Sequence, residues 1–203
     1  MCAKLKKSFF IQEDVVKIAK ELLGKTIYTC INGFNTTAVI TETEAYAGTT
    51  DKASHAYGGR RTQRTETMYR EGGCAYVYFC YGMHHLFNIV TNKKEIPHAV
   101  LIRAIYPLKG TDIMLNRVHK THFIKNMGNG PGKVTKLLGI NKTHDAITLT
   151  GKTIWLEDMS LSIDESFIIA DKRIGIDYAG EDALLAYRFY LAPSCPLFQN
   201  NYI

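Results

Sequence analysis

The hydrophobic positions of this 203-residue chain recur with a helical period in three segments and follow strand-like patterns in most of the others. The helical spacing predicts helices over residues 13–23, 111–118 and 133–138. Runs rich in β-branched and aromatic residues predict strands over residues 25–31, 34–46, 75–80, 85–91, 99–105, 153–156, 167–169 and 187–191. Strands dominate, and no linker rich in Pro, Gly or Ser divides the chain. The sequence therefore predicts a mixed α/β (α+β) fold with a single domain over residues 1–203.

Two turns and one long loop between the predicted strands bear on function. Asn32-Gly33 is the strongest short signal for a β-hairpin. A second predicted hairpin has Tyr81-Gly82-Met83-His84 at its tip, where turns normally carry polar residues. An aromatic side chain at such a tip needs a partner that receives it, and wedges of this kind insert between the base steps of DNA. Residues 47–67 are polar and rich in Gly and Arg, and long loops in compact domains tend to be functional.

The composition excludes several classes of protein. Hydrophobic residues make up 46 % of the chain, which suffices for a core, and the charged fraction of 22 % argues against general disorder. No apolar run approaches the roughly 20 residues of a membrane helix, and residues 1–10 lack the apolar segment of a signal peptide. The five cysteines form no C-x-x-C pair, which predicts free thiols in a reducing cytoplasm. They are Cys2, Cys30, Cys74, Cys80 and Cys195.

Charge is divided unevenly along the chain. Residues 1–140 carry 20 basic and 10 acidic side chains, whereas residues 141–203 carry 5 basic and 9 acidic ones. A basic body of this kind suits a polyanion such as nucleic acid. A basic balance is also common among small cytosolic proteins, so charge alone leaves the partner open.

Two carboxylates and a tyrosine share one face of the predicted strand over residues 34–46. Residues two apart in a strand point to the same side, so Glu42, Glu44 and Tyr46 line up. The strand runs into the Gly-rich loop, which makes this face a candidate general-base site. The same pattern is typical of a solvated strand face, and the pattern alone favours that interpretation.

The long loop supplies further candidates. His55 lies between small residues, where it can exchange hydrogen bonds with a ligand, although a surface histidine has the same pattern. Arginine forks suit phosphates, and those around Gly58-Gly59 and Gly72-Gly73 are Arg60, Arg61, Arg64 and Arg70. His119 and His122 are spaced like two metal ligands, but no third ligand accompanies them, so the sequence predicts no metal site.

A series of segments carries a resemblance to a known family. The segments are Glu42-Thr43-Glu44-Ala45-Tyr46, His55, Gly58-Gly59-Arg60, Tyr76-Val77-Tyr78, Tyr81-Gly82-Met83, Asn88-Ile89, Leu101-Ile102-Arg103-Ala104, Gly130-Pro131-Gly132-Lys133, Ile140-Asn141-Lys142, Arg173-Ile174-Gly175 and Arg188-Phe189-Tyr190. In this order they resemble the alkylpurine (3-methyladenine) DNA glycosylase family of the alkyladenine type, over residues 16–191. The resemblance implies a compact mixed α/β domain with a central antiparallel-rich sheet, a protruding β-hairpin, and no metal or organic cofactor.

The resemblance also implies roles for individual residues. Glu44 matches the general base that activates water, and Arg103 matches the arginine that helps to hold that water. Tyr46, His55 and Tyr78 match the residues that sandwich the flipped base. His55 and the backbone near Ala53 also match groups that hydrogen-bond the edge of the base. Asn88 matches the side chain that excludes guanine. Tyr81 matches the tyrosine that fills the gap left in the duplex.

The implied function is base-excision repair of double-stranded DNA that carries a damaged purine. The base is flipped out and its N-glycosidic bond is hydrolysed, which leaves an abasic site. No lysine lies in the motifs around the base, so we expect hydrolysis without a lyase step. Arg60, Arg61 and Arg64 are candidates for contacts with the DNA backbone, and His84 stands where better-known members place a larger aromatic. We expect a cytoplasmic, nucleoid-associated monomer.

Two other functions stay open on the sequence. One is a non-catalytic nucleic-acid-binding protein, against which an intact Glu44 and Arg103 weigh. The other is a hydrolase of nucleosides or other small ligands, against which the basic loop and the hairpin-tip Tyr81 weigh. An activity assay on alkylated DNA decides the first, and a comparison of free nucleoside with duplex substrate decides the second.

Overall fold

The computed structural model describes residues 3–122, 124, 126–159 and 163–198. These residues form the helices α1 (Lys7–Phe10), α2 (Val15–Glu21), α3 (Thr111–Arg117) and α4 (Pro131–Leu138). They form the strands β1 (Ala3–Lys4), β2 (Thr26–Ile31), β3 (Phe34–Tyr46), β4 (Ala75–Cys80), β5 (His84–Thr91), β6 (His98–Lys109), β7 (Ile154–Asp158), β8 (Ile168–Asp171) and β9 (Arg188–Leu191). Short 3₁₀ helices lie at Gly48–Thr50, Tyr57–Gly59, Glu66–Tyr69, Lys142–His144, Glu165–Phe167, Asp177–Leu184 and Pro196–Phe198. The predicted mixed α/β fold is confirmed.

The strands of the described residues all belong to one antiparallel sheet. Its order is β1-β7-β2-β3-β6-β5-β4, and β8 and β9 join it because β9 pairs with β3. Strand β3 is the longest of them and has neighbours on both edges. One edge pairs with β6, whereas the other pairs first with β2 and then with β9. The predicted antiparallel sheet is confirmed, and the candidate carboxylates lie on its central strand.

Helices cover the sheet through apolar side chains. Helix α2 begins after Asp14, whose carboxylate accepts hydrogen bonds from the backbone N–H groups of Val16 and Lys17, as an N-cap residue does. Helix α2 packs on β3 and β6, and α4 packs on β5 and β6. The buried apolar residues of these two helices are Val15, Ile18, Ala19, Val134, Leu137 and Leu138. This packing fixes the central strands that carry the site.

Strand β3 is irregular where the candidate carboxylates lie. Its register with β6 shifts on both sides of Glu42, as in a β-bulge. Bulges turn side chains in new directions and often lie next to active sites. On the opposite edge of β3, Glu42 pairs with Tyr190 and Glu44 pairs with Arg188. The irregularity therefore lies where charged side chains of three strands meet.

Strands β4 and β5 form the second predicted hairpin. Three residues connect the paired Cys80 and His84, and the first two of them, Tyr81 and Gly82, have positive φ, 52° and 68°, as the central residues of a type I′ turn do. Tyr81 is 83 % exposed and Met83 is 64 % exposed, so neither side chain packs on the domain. The predicted hairpin with an exposed aromatic tip is confirmed, although β5 already begins at His84.

Other elements differ from the prediction in length or were not predicted. Strand β1 and helix α1 were missed because elements of two and four residues leave no periodic signal. Strand β6 continues past its predicted end to Lys109, and Pro107 lies at a further shift of register with β3, where a proline is tolerated. The described cysteines are free thiols, as predicted: Cys30, Cys74, Cys80 and Cys195; Cys2 lies outside the described residues. None of the helices in the described part of the chain is long and apolar enough to span a membrane.

Candidate active site

A cavity of about 620 Å³ opens between β3, β6, the β4–β5 hairpin and the segment that follows β8. It brings together most of the residues that the sequence singled out: Glu44, Tyr46, Ala53, His55, Arg64, Tyr78, Tyr81, Asn88 and Arg103. Pockets for small ligands commonly have volumes of about 300–1,000 Å³, so the cavity is large enough for a purine base.

Glu44 is completely buried at the floor of this cavity, and both of its carboxylate oxygens have donors. The backbone N–H of Ile174 donates to Oε1 at 2.8 Å, and the hydroxyl of Tyr46 donates to Oε2 at 2.8 Å. The Nη1 atom of Arg103 lies 3.4 Å from Oε1. Burial raises the pKa of Glu44 above its ordinary value, although Arg103 and the two hydrogen bonds act in the opposite direction. A buried carboxylate with a raised pKa is suited to accept a proton.

Glu42, two residues earlier on β3, has different surroundings. Its Oε1 accepts a hydrogen bond from Nε of Arg103 at 3.2 Å and another from Nη1 of Arg188 at 3.0 Å. Glu42 and Arg188 line a separate groove of about 760 Å³, whereas Glu44 lines the cavity. The alternation along the strand could not distinguish the two carboxylates. The structure distinguishes them by what each one faces, and the solvated strand face that the pattern favoured is wrong for both.

The ring of Tyr46 is held from one face by a buried ion pair. The guanidinium of Arg173 lies 4.9 Å from the centre of the Tyr46 ring, within the range of a cation–π contact. Arg173 donates to both carboxylate oxygens of Asp51, at 2.5 and 2.9 Å, and to the carbonyl of Ala45 at 2.9 Å. Tyr46 also lines the cavity.

His55 lies among aromatic rings at the side of the cavity. Its Nδ1 is 2.9 Å from the hydroxyl of Tyr76, and its ring meets the ring of Tyr78 edge-on with centroids 4.7 Å apart. Burial and the nearby Arg64 and Arg60 lower the pKa of His55 to about 4. The imidazole is therefore neutral at pH 7, and a neutral imidazole has one donor and one acceptor nitrogen.

Asn88 and the Ala53 backbone are fixed by hydrogen bonds on two sides of the cavity. The Nδ2 atom of Asn88 donates to the carbonyl of Tyr76 at 3.1 Å, and the Asn88 side chain is buried. The backbone N–H of Ala53 donates to Asp51 at 3.0 Å, and its carbonyl accepts from the hydroxyl of Tyr178 at 3.1 Å. Both polar groups therefore have set positions before a ligand enters.

The loop arginines predicted to contact phosphates have unequal environments. Arg64 lines the cavity, and its guanidinium lies 4.8 Å from the centre of the Tyr78 ring. Arg61 forms ion pairs with Glu66 at 2.7 Å and Glu95 at 2.5 Å. Arg60 is exposed outside the cavity lining. Because two carboxylates already neutralise Arg61, it is the weakest phosphate candidate of the three.

The remaining histidine predictions fall at the edge of the site or away from it. His84 packs against Gly132 at the start of α4, at the base of the hairpin tip. His119 and His122 are exposed and lie outside the cavity lining. Within the described ranges, no group of three or more His, Cys, Asp or Glu side chains is placed to hold a metal ion.

Several residues of the site had no role assigned from the sequence. Tyr76, Arg173 and Ile174 lie inside segments that carried the family resemblance, and that was the available signal. Asp51 and Tyr178 had no such signal. Their contacts join the 47–67 loop to the segment before β9, more than 120 positions away along the chain. Only the folded chain brings these segments together.

Comparison with known proteins identifies the family of this chain. A family model described as methylpurine-DNA glycosylase (MPG) matches residues 9–195. A protein of Chlamydia felis is 49 % identical over 188 residues, covering 92 % of this chain and 95 % of the relative. A protein of Clostridium perfringens strain 13 is 45 % identical over 190 residues, covering 90 % and 93 %. A protein of Bacillus cereus strain AH820 is 42 % identical over 189 residues, covering 89 % and 92 %.

Each of these three relatives bears the name "Putative 3-methyladenine DNA glycosylase". The family model spans nearly the whole chain, and the relatives match this chain over almost their own full lengths. On these grounds the chain belongs to the methylpurine-DNA glycosylase family.

Proposed function

We propose that this protein removes alkylated or deaminated purines from double-stranded DNA by hydrolysing the N-glycosidic bond, and leaves an abasic site. The observation that carries the proposal is the placement of Glu44. It is a completely buried carboxylate with a raised pKa, at the floor of a cavity that has room for a purine and is lined by aromatic rings. Family membership and the names of the relatives support the same reaction class.

The cavity is suited to a base that has left the DNA stack. A purine inside a duplex cannot reach Glu44, so it must first be flipped out. Tyr46 and Tyr78 then offer electron-rich rings, on which a positively charged alkylated purine stacks well. Arg173 holds Tyr46, and His55 contacts Tyr78, so both rings are ordered before the base arrives. This order lowers the entropic cost of binding the flipped base.

Glu44 performs the chemistry in this proposal. As the C–N bond to the base breaks, positive charge builds on the sugar, and the nearby carboxylate stabilises that charge. Glu44 accepts a proton from water, the water oxygen bonds to C1′ of the sugar, and the base leaves with the electron pair of the broken bond. Arg103 helps to hold the water, while the Tyr46 hydroxyl and the Ile174 N–H orient the carboxylate.

Polar groups around the cavity select the base. The neutral His55 and the backbone near Ala53 hydrogen-bond its edge. Asn88 is buried in the cavity wall, where its amide opposes the 2-amino group of guanine. Such a group would clash with the amide or lose its hydrogen-bond partners.

The hairpin tip and the loop arginines face the DNA in this proposal. Tyr81 is exposed at the mouth of the cavity, where its ring can occupy the gap that the flipped nucleotide leaves. Arg60, Arg61 and Arg64 are the candidates for contacts with the backbone. The protein then acts as a monomer on the DNA of the cytoplasm, in association with the nucleoid.

The test is base release from defined duplexes that each contain 3-methyladenine, 7-methylguanine, ethenoadenine or hypoxanthine. The same lesions are presented as single strands and as free nucleosides, under single-turnover conditions. We expect release from duplexes and an abasic product, with much slower release from nucleosides, and no loss of activity with a chelator. Equal release from nucleosides indicates a small-molecule hydrolase, and tight duplex binding without release of any base indicates a non-catalytic binder.

A further inference from the structure

Glu42 carries a charge next to the reacting carboxylate but faces away from the cavity. Its Oε1 receives Nε of Arg103 at 3.2 Å and Nη1 of Arg188 at 3.0 Å. Little of its side chain is exposed, so these contacts are poorly screened by solvent. The proposed reaction uses Glu44 and Arg103 and leaves the Glu42 carboxylate without a function.

The framework fixes the position of Glu42 through Arg188. The Nε atom of Arg188 donates to the carbonyl of Lys172 at 2.8 Å, and its Nη2 donates to Asp171. Its guanidinium also lies 4.9 Å from the centre of the Tyr190 ring. Arg188 therefore has anchors on β8 and β9, and Glu42 is fixed between this anchored cation and Arg103.

The contact with Glu42 limits how Arg103 can approach Glu44. A guanidinium pairs most strongly with a carboxylate when two parallel N–H groups meet both oxygens. Glu42 engages Nε of Arg103, and the ion pair of Arg103 with Glu44 runs through Nη1, at 3.4 Å. The second oxygen of Glu44 accepts the Tyr46 hydroxyl instead.

We propose that Glu42 is a positioning residue for base release: it holds Arg103 through Nε and prevents a two-point ion pair between Arg103 and Glu44. Glu44 thereby stays able to accept a proton from water, and Arg103 keeps N–H groups for that water. This inference rests on the proposed glycosylase function and deepens it. It assigns a residue that sets how readily the general base Glu44 accepts a proton, without touching the substrate.

The charges around the two carboxylates determine the sign of the expected effect. Arg103 on β6 faces both of them, the Tyr46 hydroxyl and the Ile174 N–H face Glu44, and Arg188 on β9 faces Glu42. Two further charges lie close by: Arg173 is near Glu44, and Asp171 pairs with Arg188. The negative charge of Glu42 raises the pKa of Glu44, and Arg103 lowers it. Removing the Glu42 charge therefore lowers the pKa of Glu44 directly and also releases Arg103 toward it.

The first test is Glu42→Gln, which keeps the shape of the side chain. We expect the single-turnover rate at which the purine is released to fall about tenfold. This loss is smaller than the roughly 10²–10⁴-fold loss expected when the general base Glu44 is replaced. The acid limb of the pH–rate profile should move to lower pH, and the affinity for lesion DNA should not change. Glu42→Asp retains the charge and should restore the position of the acid limb. Glu157→Gln on β7, whose carboxylate accepts from Trp155, is the matched control.

The second test is Arg188→Gln. This variant removes the cation that competes with Arg103 for Glu42, so Glu42 can pair more strongly with Arg103. We expect the acid limb to move to higher pH, opposite to the Glu42→Gln shift. Melting curves and circular dichroism establish that each variant is folded, and the Arg188 variant decides the matter if Glu42→Gln does not fold. An unchanged profile in a folded variant, or equal shifts in both, overturns the role of Glu42. Wild-type protein that releases no base from any duplex would instead overturn the proposed function itself.

Discussion

The floor of the cavity and the tip of the β4–β5 hairpin differ in how fully their side chains are partnered. At the floor, Glu44 is buried and both of its carboxylate oxygens accept hydrogen bonds. The buried Arg173 donates to both carboxylate oxygens of Asp51. At the tip, Tyr81 and Met83 stand in solvent on a turn with positive φ. The floor is complete in the protein alone, whereas the tip lacks a partner. Under the proposed function, this difference means that the groups for the chemistry are in place before DNA binds, and that the DNA supplies the partner of the tip.

The largest effect should come from the floor. We expect Glu44→Gln to lower the single-turnover rate of base release by about 10²–10⁴-fold, because the amide cannot accept the proton of water. Binding to lesion DNA should persist, because the amide keeps the shape of the floor. Glu157→Gln is the control. A Glu44→Gln rate within tenfold of wild type would contradict the role of Glu44.

Glu44→Gln should also stabilise the fold at neutral pH. Burial raises the pKa of Glu44 in the folded protein above the ordinary value of 4.5, so its protonated form folds more favourably than its ionised form. This contribution is complete at pH values below the ordinary one and is lost as the pH rises through the raised pKa. The variant should therefore melt at a higher temperature than wild type at pH 7, with the difference vanishing below pH 4.5. A lower Tm at pH 7 would show that ionised Glu44 stabilises the floor.

The second effect in size concerns the ion pair beside Tyr46. Asp51→Asn leaves the buried Arg173 without its counter-charge, which should lower the free energy of unfolding by about 3–5 kcal/mol. Urea unfolding measures this loss. Glu181→Gln breaks the exposed pair with Lys52, next to Asp51 along the chain, and should change stability little. If both variants lose the same free energy of unfolding, the buried ion pair of Asp51 contributes no more to stability than the exposed pair of Glu181.

The tip should affect binding rather than stability. We expect Tyr81→Ala to weaken binding to lesion and abasic duplexes by about 1–3 kcal/mol, as for other base–aromatic contacts, with an unchanged Tm. Phe34→Ala removes an exposed aromatic from the other hairpin and should leave binding unchanged. Titrations with duplex and single-stranded DNA decide. An equal loss on both substrates, or a lower Tm, would identify Tyr81 as a packing residue.

The last expected effect concerns selectivity within the cavity. Asn88→Ser makes room for the 2-amino group of guanine, whose rejection is expected to rest on about 1–3 kcal/mol. Release of normal guanine should rise relative to hypoxanthine, while the chemistry at Glu44 persists. Single-turnover release of both bases from matched duplexes gives the ratio. An unchanged ratio would exclude Asn88 as the residue that rejects guanine, whatever happens to the absolute rates.

Local sequence patterns determined the elements and the candidates in this protein. Asn32-Gly33 and the run 75–91 predicted two hairpins that the structure contains, because hairpin turns depend on the φ preferences of a few adjacent residues. The alternation along β3 predicted Glu42, Glu44 and Tyr46 on one side. The structure brings Glu44 and Tyr46 together in the cavity, whereas Glu42, at the shift of register with β6, lines the separate groove. Each of these predictions needed only neighbours in the chain.

The tertiary structure decided what each candidate can do. Two carboxylates with the same pattern have different surroundings: Glu44 lines the cavity, and Glu42 lies between Arg103 and Arg188, which β6 and β9 bring beside it. Burial and donors from distant segments set the pKa of Glu44, and the pairing of Asp51 with Arg173 spans the chain from the loop to the segment after β8. Desolvation and long-range ion pairs depend on the distances between atoms in the folded chain, and a linear pattern does not contain those distances.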